Sequence, residues 1–279
     1  MPLPAAAAAA AAGAVAVVYR GVDGVPLPAL WPLVLLLAAL LLVTPMFIAR
    51  DPHRLPLAAR ARRDEDHEFD GELAVEQAPS ALAQEVGDRL FGEGEALEHG
   101  DSGPADMAAA AHKYVEAAGM GHPASLAKTG LFRMQGLGGL PRDEAEGVRL
   151  LRRAAALGDC VAQCNLAAAC LHGLGGPVDH AAAVRWYQRA AANGFPAAQY
   201  NLGLMYAEGI FGLARNDEEA AAFLAPAARA GYGPAQYHLG VLMEEGRGGL
   251  RRDPAQAMRL YSAAAAQAFQ PALARLRRG

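Results

Sequence analysis

The sequence predicts an all-α protein, a solenoid of helix–turn–helix repeats about 36–37 residues long preceded by a transmembrane segment. Three observations predict it. Gly121, Gly158, Gly194 and Gly231 follow one another at steps of 37, 36 and 37, and Gly136, Gly173, Gly209 and Gly246 keep the same steps. Two independent glycine series in one register mark a repeat array. Between the glycines, apolar residues recur at helical spacing. Ahead of the array, Gly24 to Ala49 contains no charged residue.

The composition agrees with this class. Hydrophobic residues make up 53% of the 279 residues, but aromatics only 6%. Alanine carries much of the apolar count, which favours closely packed helices over a sheet core. The net charge of −4 and a pI near 6.1 give no basic surplus for nucleic acid, which is not an expected partner.

Residues 1–23 begin the chain with an alanine run. Alanine gains little on leaving water, so Pro2 to Tyr19 is open to a second span, an interfacial helix or a disordered start. No Lys or Arg precedes Arg20, so the charged start of a secretory signal is missing. Residues 24–49 read as a transmembrane helix. The run LWPLVLLLAALLLVTPMFIA, Leu30 to Ala49, is about 30 Å long at helical rise, the thickness of a hydrocarbon core. Pro32 and Pro45 lie near its ends, where they interrupt few helix bonds. Trp31 is placed as an interfacial anchor. Arg50, Arg54, Arg60, Arg62 and Arg63 follow the run, and only Arg20 precedes it. Positive flanks stay inside, so the repeats are expected on the cytoplasmic side, with one span or a hairpin.

Residues 50–79 read as a charged linker. Its arginines give way to Asp64, Glu65, Asp66, Glu68, Asp70, Glu72 and Glu76, with little apolar surface to bury.

Residues 122–268 carry four repeats. The first helix of each reads HPASLAKTGLFRMQG (His122–Gly136), CVAQCNLAAACLHG (Cys160–Gly173), PAAQYNLGLMYAEG (Pro196–Gly209) and GPAQYHLGVLMEEG (Gly233–Gly246). Ala198, Leu202 and Tyr206 are spaced by four and predict one buried stripe. Gly203 and Gly240 stand mid-helix, where glycine costs about 1 kcal/mol against alanine, so a neighbouring helix is expected to pack closely there. The second helices are expected to open at Asp143, Asp179, Asp217 and Asp253 as caps. They continue as AVRWYQRAAANG (Ala183–Gly194) or AMRLYSAAAAQA (Ala257–Ala268), and Trp186 and Tyr187 supply large core contacts.

AQYNLGLMYAEG followed by an AxxWYxxAAxxG helix resembles the Sel1-like repeat, a relative of the tetratricopeptide repeat. The resemblance implies a right-handed α-solenoid whose curved face binds proteins or peptides, often as an adaptor. Three features depart from the family pattern. Pro226 falls inside the second helix of repeat three, where it is expected to kink the helix. The turn GLGGPVD (Gly173–Asp179) is one residue short. The paired cysteines that staple some secreted members are absent. Residues 80–121 read as a divergent repeat, with Ala81–His99 and Ala105–Gly121 as its helices. Residues 269–279 restart a first helix and then turn basic, as a C-terminal cap for the stack.

Motifs that invite chemistry are absorbed by the register. GLGGL (Gly136–Leu140) and GRGGL (Gly246–Leu250) each follow a helix, not the strand that a phosphate loop requires, and recur as inter-helix turns. Cys160, Cys164 and Cys170, with His172 and His180, do not converge at 100° per residue, so no metal is expected. The cysteines are expected to be free, buried or half-buried thiols. No nucleophile–base pair can be placed, and neither an enzyme nor a cofactor is expected.

What remains is a polar face. Seven residues after the first glycine series lie Lys128, Asn165, Asn201 and His238, and fourteen after it lie Gln135, His172, Glu208 and Glu245. Seven is nearly two helical turns, so both rows are expected on one face of the first helices. The expected function is a membrane-anchored scaffold that contacts a protein or peptide through this face. The alternative is an envelope-associated or enzyme-regulating protein with its repeats outside the cytoplasm.

Overall fold

The computed structural model describes residues 78–101 and 103–277, and the regular structure among them is all helical. The order is α1 (Ala81–His99), α2 (Met107–Gly119), α3 (Pro123–Gln135), α4 (Glu144–Ala156), α5 (Cys160–His172) and α6 (His180–Ala192). Then come α7 (Pro196–Glu208), α8 (Asp217–Arg229), α9 (Gly233–Glu245), α10 (Pro254–Ala266) and the short α11 (Gln270–Leu276). Helices α2 to α10 are each 13 residues long. The described residues form two compact units, 78–202 and 203–277, divided inside α7. The apolar stretch 24–49, the alanine run before it and most of the linker lie outside the described residues. Among the described residues no helix is long and apolar enough to cross a membrane.

The second helices all start with a side-chain cap. Asp106, Asp143, Asp179, Asn216 and Asp253 each accept a backbone N–H two or three residues on, which satisfies donors the helix cannot pair internally. In the third repeat this corrects the expected start: Asn216 is the cap and Asp217 is the first helical residue. The Asp217 carboxylate is engaged instead by Arg247, whose Nε and Nη2 donate to it at 2.9 and 2.8 Å. The short turn of repeat two still closes. Asp179 N–H donates to the Cys170 carbonyl at 2.9 Å, as Asp143 does to Arg133 and Asp253 to Met243.

The second helices also end alike. The N–H of the residue after each glycine reaches five residues back: His122 to Ala117, Asp159 to Ala154, Phe195 to Ala190 and Tyr232 to Ala227. The glycine N–H itself reaches three back, which completes a Schellman motif with the glycine left-handed. After α10 the same motif forms around Ala268, which takes φ 60° without being glycine. Pro226 does not shorten its helix, since α8 runs on to Arg229. The carbonyl left without a partner belongs to Ala222, an exposed residue, so water can satisfy it.

Small residues set the packing between helices of one repeat. A Cβ on Gly130 would lie 2.8 Å from the Gly147 carbonyl oxygen, and one on Gly147 would lie 2.6 Å from the Gly130 oxygen. Helices α3 and α4 thus cross backbone to backbone. Gly203 approaches Leu224 and Gly240 approaches Tyr261 just as closely, at 2.7 Å from an added Cβ. Repeats are joined by a glutamine near the start of the first helix. Gln163, Gln199 and Gln236 donate to the carbonyls of Ala155, Ala191 and Ala228 near the end of the previous helix. Around them, Leu126, Leu151, Leu166, Leu202, Leu224 and Leu239 are buried, each contributing about 1.5–3 kcal/mol relative to exposure. Ala198, Leu202 and Tyr206 form the buried stripe that their spacing predicts.

Candidate partner-binding face

The two polar rows differ in depth. Within unit 78–202, Lys128, Asn165 and Asn201 are half-buried, whereas Gln135 and His172 are exposed. Within unit 203–277, His238 is half-buried, and Glu208 and Glu245 are exposed. The outer row lies at the last residue of each first helix, one place before the left-handed glycine that ends it. The inner row lies two turns earlier on the same helices.

Most inner-row residues are engaged by their own chain. Lys128 Nζ donates to Glu98 Oε2 at 2.8 Å and sits 5.6 Å from the centroid of the Tyr114 ring. Tyr114, fully buried, donates its hydroxyl to the same Glu98 oxygen at 2.6 Å. Burial pushes the Glu98 carboxyl up, but the hydrogen bonds from Lys128 and Tyr114 outweigh it and hold the carboxyl below its usual range. Burial and the facing carboxylate push the Tyr114 phenol up. Asn165 donates its side-chain amide to Val161 O of its own helix. The His238 ring stands edge-on to Tyr237 at 5.2 Å, and burial brings its pKa down to about 4, so it is neutral at pH 7. His172 is also shifted down by burial. In the outer row, Glu245 accepts from Arg247 at 2.7 Å.

The row has a fifth member that periodicity did not pick out. Arg275 on α11 stands 37 residues after His238 and donates to Glu244 Oε2 at 2.7 Å, while Tyr261 donates to the same oxygen at 2.6 Å. Glu98–Tyr114–Lys128 and Glu244–Tyr261–Arg275 are therefore one triad used twice. The signal was in the register, since Tyr114 and Tyr261 are four repeats apart, as are Lys128 and Arg275. Glu98 and Glu244 each lie two residues before a left-handed glycine, Gly100 and Gly246.

The motifs with a chemical look lie where the register puts them. Cys160, Cys164 and Cys170 are free and half-buried. Burial pushes all three thiols up, Cys164 to about 11, which keeps them protonated and weak as nucleophiles or metal ligands. Among the described residues no group of three or more His, Cys, Asp or Glu could hold a metal ion. The glycine turns join first to second helices. Gly138, Gly175 and Gly248 press against carbonyls of the preceding second helix, at Met107, Glu144 and Asp217.

The repeated caps, the glutamine links and the first-helix row recur at one period, and a family model matches at that period. The model for the Sel1 repeat covers residues 123–159, 160–195, 196–232 and 233–269, more than half of the chain. The chain belongs to the Sel1 repeat family. Its solenoid is that of solved Sel1 structures. A Sel1 repeat protein from Oxalobacter formigenes superposes with a TM-score of 0.63 at 26% identity, over 70% of this chain and 57% of that one. A protective antigen from uropathogenic Escherichia coli, described as displaying an SLR fold, gives 0.58 at 31% identity, over 69% of this chain and 40% of that one. The chain thus spans less than two thirds of either relative. An immunity protein from Pseudomonas aeruginosa shares the fold at a TM-score of 0.50 and 22% identity, over 70% of each chain. No curated protein matches the chain. Sel1 repeats generally mediate protein–protein interaction.

Proposed function

We propose that this Sel1 repeat protein is a membrane-tethered adaptor that holds a protein or peptide partner on its first-helix face and catalyses no reaction itself. The observation that carries the reading is the family's repeat, in which every first helix ends on an exposed polar residue beside a half-buried one. The tether rests on the uncharged stretch 24–49, and the cytoplasmic placement on the arginines at 50, 54, 60, 62 and 63.

The exposed row is the part able to reach a partner, because Lys128 is already committed to Glu98 and Tyr114. Substituting the exposed-row residues Gln135→Ala, His172→Ala, Glu208→Ala and Glu245→Ala together should weaken partner retention at least about tenfold, the cost of one or two hot-spot contacts. Partners are captured on the full chain in detergent and quantified for the parent and the quadruple variant. Equal retention at unchanged helix content removes the face from the proposal. Placement is tested by fusing alkaline phosphatase or a fluorescent protein after Gly279. Fluorescence without phosphatase activity is the expected result, and the reverse moves the repeats outside the cytoplasm.

A further inference from the structure

Within unit 78–202, the chain reaches α1 at the edge of the stack where the second helices finish. Only three residues separate α2 from α3 and α4 from α5, so the ends of the second helices lie level with the starts of the first helices. Pro79 stands just ahead of α1, and a Cβ placed on Gly121 would lie 4.0 Å from the Pro79 Cβ. The chain therefore arrives beside the turn that closes α2. The same turn recurs after α4 at Gly158 and after α6 at Gly194.

That edge is basic one and two repeats on. Beyond their first turns, α4 and α6 hold Arg149, Arg152, Arg153, Arg185 and Arg189 and no acid. Arg149 and Arg152 are exposed, and the other three are half-buried. Arg149 holds Glu146 through two hydrogen bonds of 2.7 Å, and Arg189 lies 5.1 Å from the centroid of the Trp186 ring. Arg152 and Arg185 both act electrostatically on the Cys170 thiol of α5, so the arginines of the two repeats share one field. At the same place α2 is balanced, with Lys113 paired to Glu93 and Glu116 exposed.

The segment just ahead of α1 is the complement. Asp64 to Glu76 holds seven acids and no Lys or Arg, and Glu76 stands three residues before Pro79. Thirteen residues span up to about 45 Å when extended. Helix α1 touches α3, α3 touches α4 and α5, and α5 touches α6. At about 8–10 Å per helix spacing, α4 and α6 are about 20 and 30 Å from α1, within that reach.

We propose that the acidic segment 64–76 folds back onto the arginines of α4 and α6 as an intramolecular clasp. Each exposed ion pair contributes little by itself. The short tether, however, holds the segment at an effective concentration of about 1 mM, so a contact as weak as about 0.1 mM is about nine-tenths occupied. The clasp stands apart from the first-helix face and from the apolar stretch 24–49.

The experiment uses the full chain in a non-ionic detergent and a fluorescent peptide of sequence 64–76, with binding read by anisotropy at low salt. A linker variant carries Asp→Asn and Glu→Gln at 64, 65, 66, 68, 70, 72 and 76. It should bind the peptide at least about tenfold more tightly than the parent, whose own segment occupies the site. About 0.5 M salt should weaken that binding at least about tenfold. Adding Arg149→Gln and Arg152→Gln to the linker variant should weaken it at least about fivefold. A linker variant that does not bind the peptide at about 1 mM overturns the proposal. So does binding that a correctly helical arginine variant retains in full. Equal binding by parent and linker variant also overturns it, and leaves the arginines to an anionic membrane surface or another acidic partner. The comparison of parent with linker variant changes no residue of the described helices, so it reads the contact even if the arginine variant fails to fold.

Discussion

At the scale of single residues, the most informative position is Ala268. Gly121, Gly158, Gly194 and Gly231 occupy the left-handed place that closes each second helix, with φ between 81° and 92°, and Ala268 is forced into the same region at φ 60°. A Cβ there meets the following carbonyl, which costs an L residue about 1–2 kcal/mol. Ala268→Gly should therefore stabilise the chain by about 1 kcal/mol. The converse, Gly231→Ala, should destabilise it by a similar amount. No atom lies within 4 Å of the Cβ added at Gly231, so the whole effect comes from the backbone. Urea midpoints of the two variants check both signs. This position was legible in the sequence, since the glycine series broke there. Phe211, which among the described residues shares positive φ with Ala268 outside the glycines, also stands where Gly138, Gly175 and Gly248 stand in the other turns.

At the scale of elements, the helix pair is where sequence and structure meet most closely. Thirteen-residue helices, aspartate caps and glycine ends were all readable from local chemistry, because each depends on a side chain and the backbone next to it. Asn216 and Asp217 can both cap, and only the three-dimensional start of α8 chooses between them. The crossing of α3 and α4 depends on residues far apart in sequence. Gly130→Ala gains about 1 kcal/mol in helix propensity. It also drives a Cβ to 2.8 Å from the Gly147 carbonyl, a backbone atom that cannot rotate away. Overpacking of this kind costs about 1–3 kcal/mol, so the variant should lose stability, read as a lower urea midpoint. Ala167, fully buried at the same position in α5, shows that the α5–α6 pair is built to accept the methyl group.

At the scale of the whole molecule, a repeat array is a chain of local stabilities coupled to neighbours. The two Glu–Tyr–cation triads are local devices in this sense. Glu244 sits below its usual carboxylate range because Tyr261 and Arg275 donate to it. Its contribution is therefore complete above the unfolded value of about 4.3 and is lost as pH falls through the lowered folded value. Glu244→Gln at neutral pH should act in the same direction. Amide hydrogen exchange should then quicken in α9, α10 and α11 and stay unchanged in α1, α2 and α3, because coupling in an array decays over neighbouring repeats. Equal acceleration in both sets would show a globally cooperative fold instead.

The sequence by itself determined the period, the all-helical class, the family resemblance and the rows of polar residues, because repetition writes the same local chemistry several times in one register. It also carried the uncharged stretch and its arginine flank, which lie outside the described helices. Tertiary structure decided which members of a row are available. Lys128 and Arg275 stand at one place in the repeat, yet each is committed to a glutamate and a tyrosine from other helices. Sequence spacing fixes the side of a helix on which a residue lies. Only packing brings Glu98 and Lys128, thirty residues apart, to 2.8 Å.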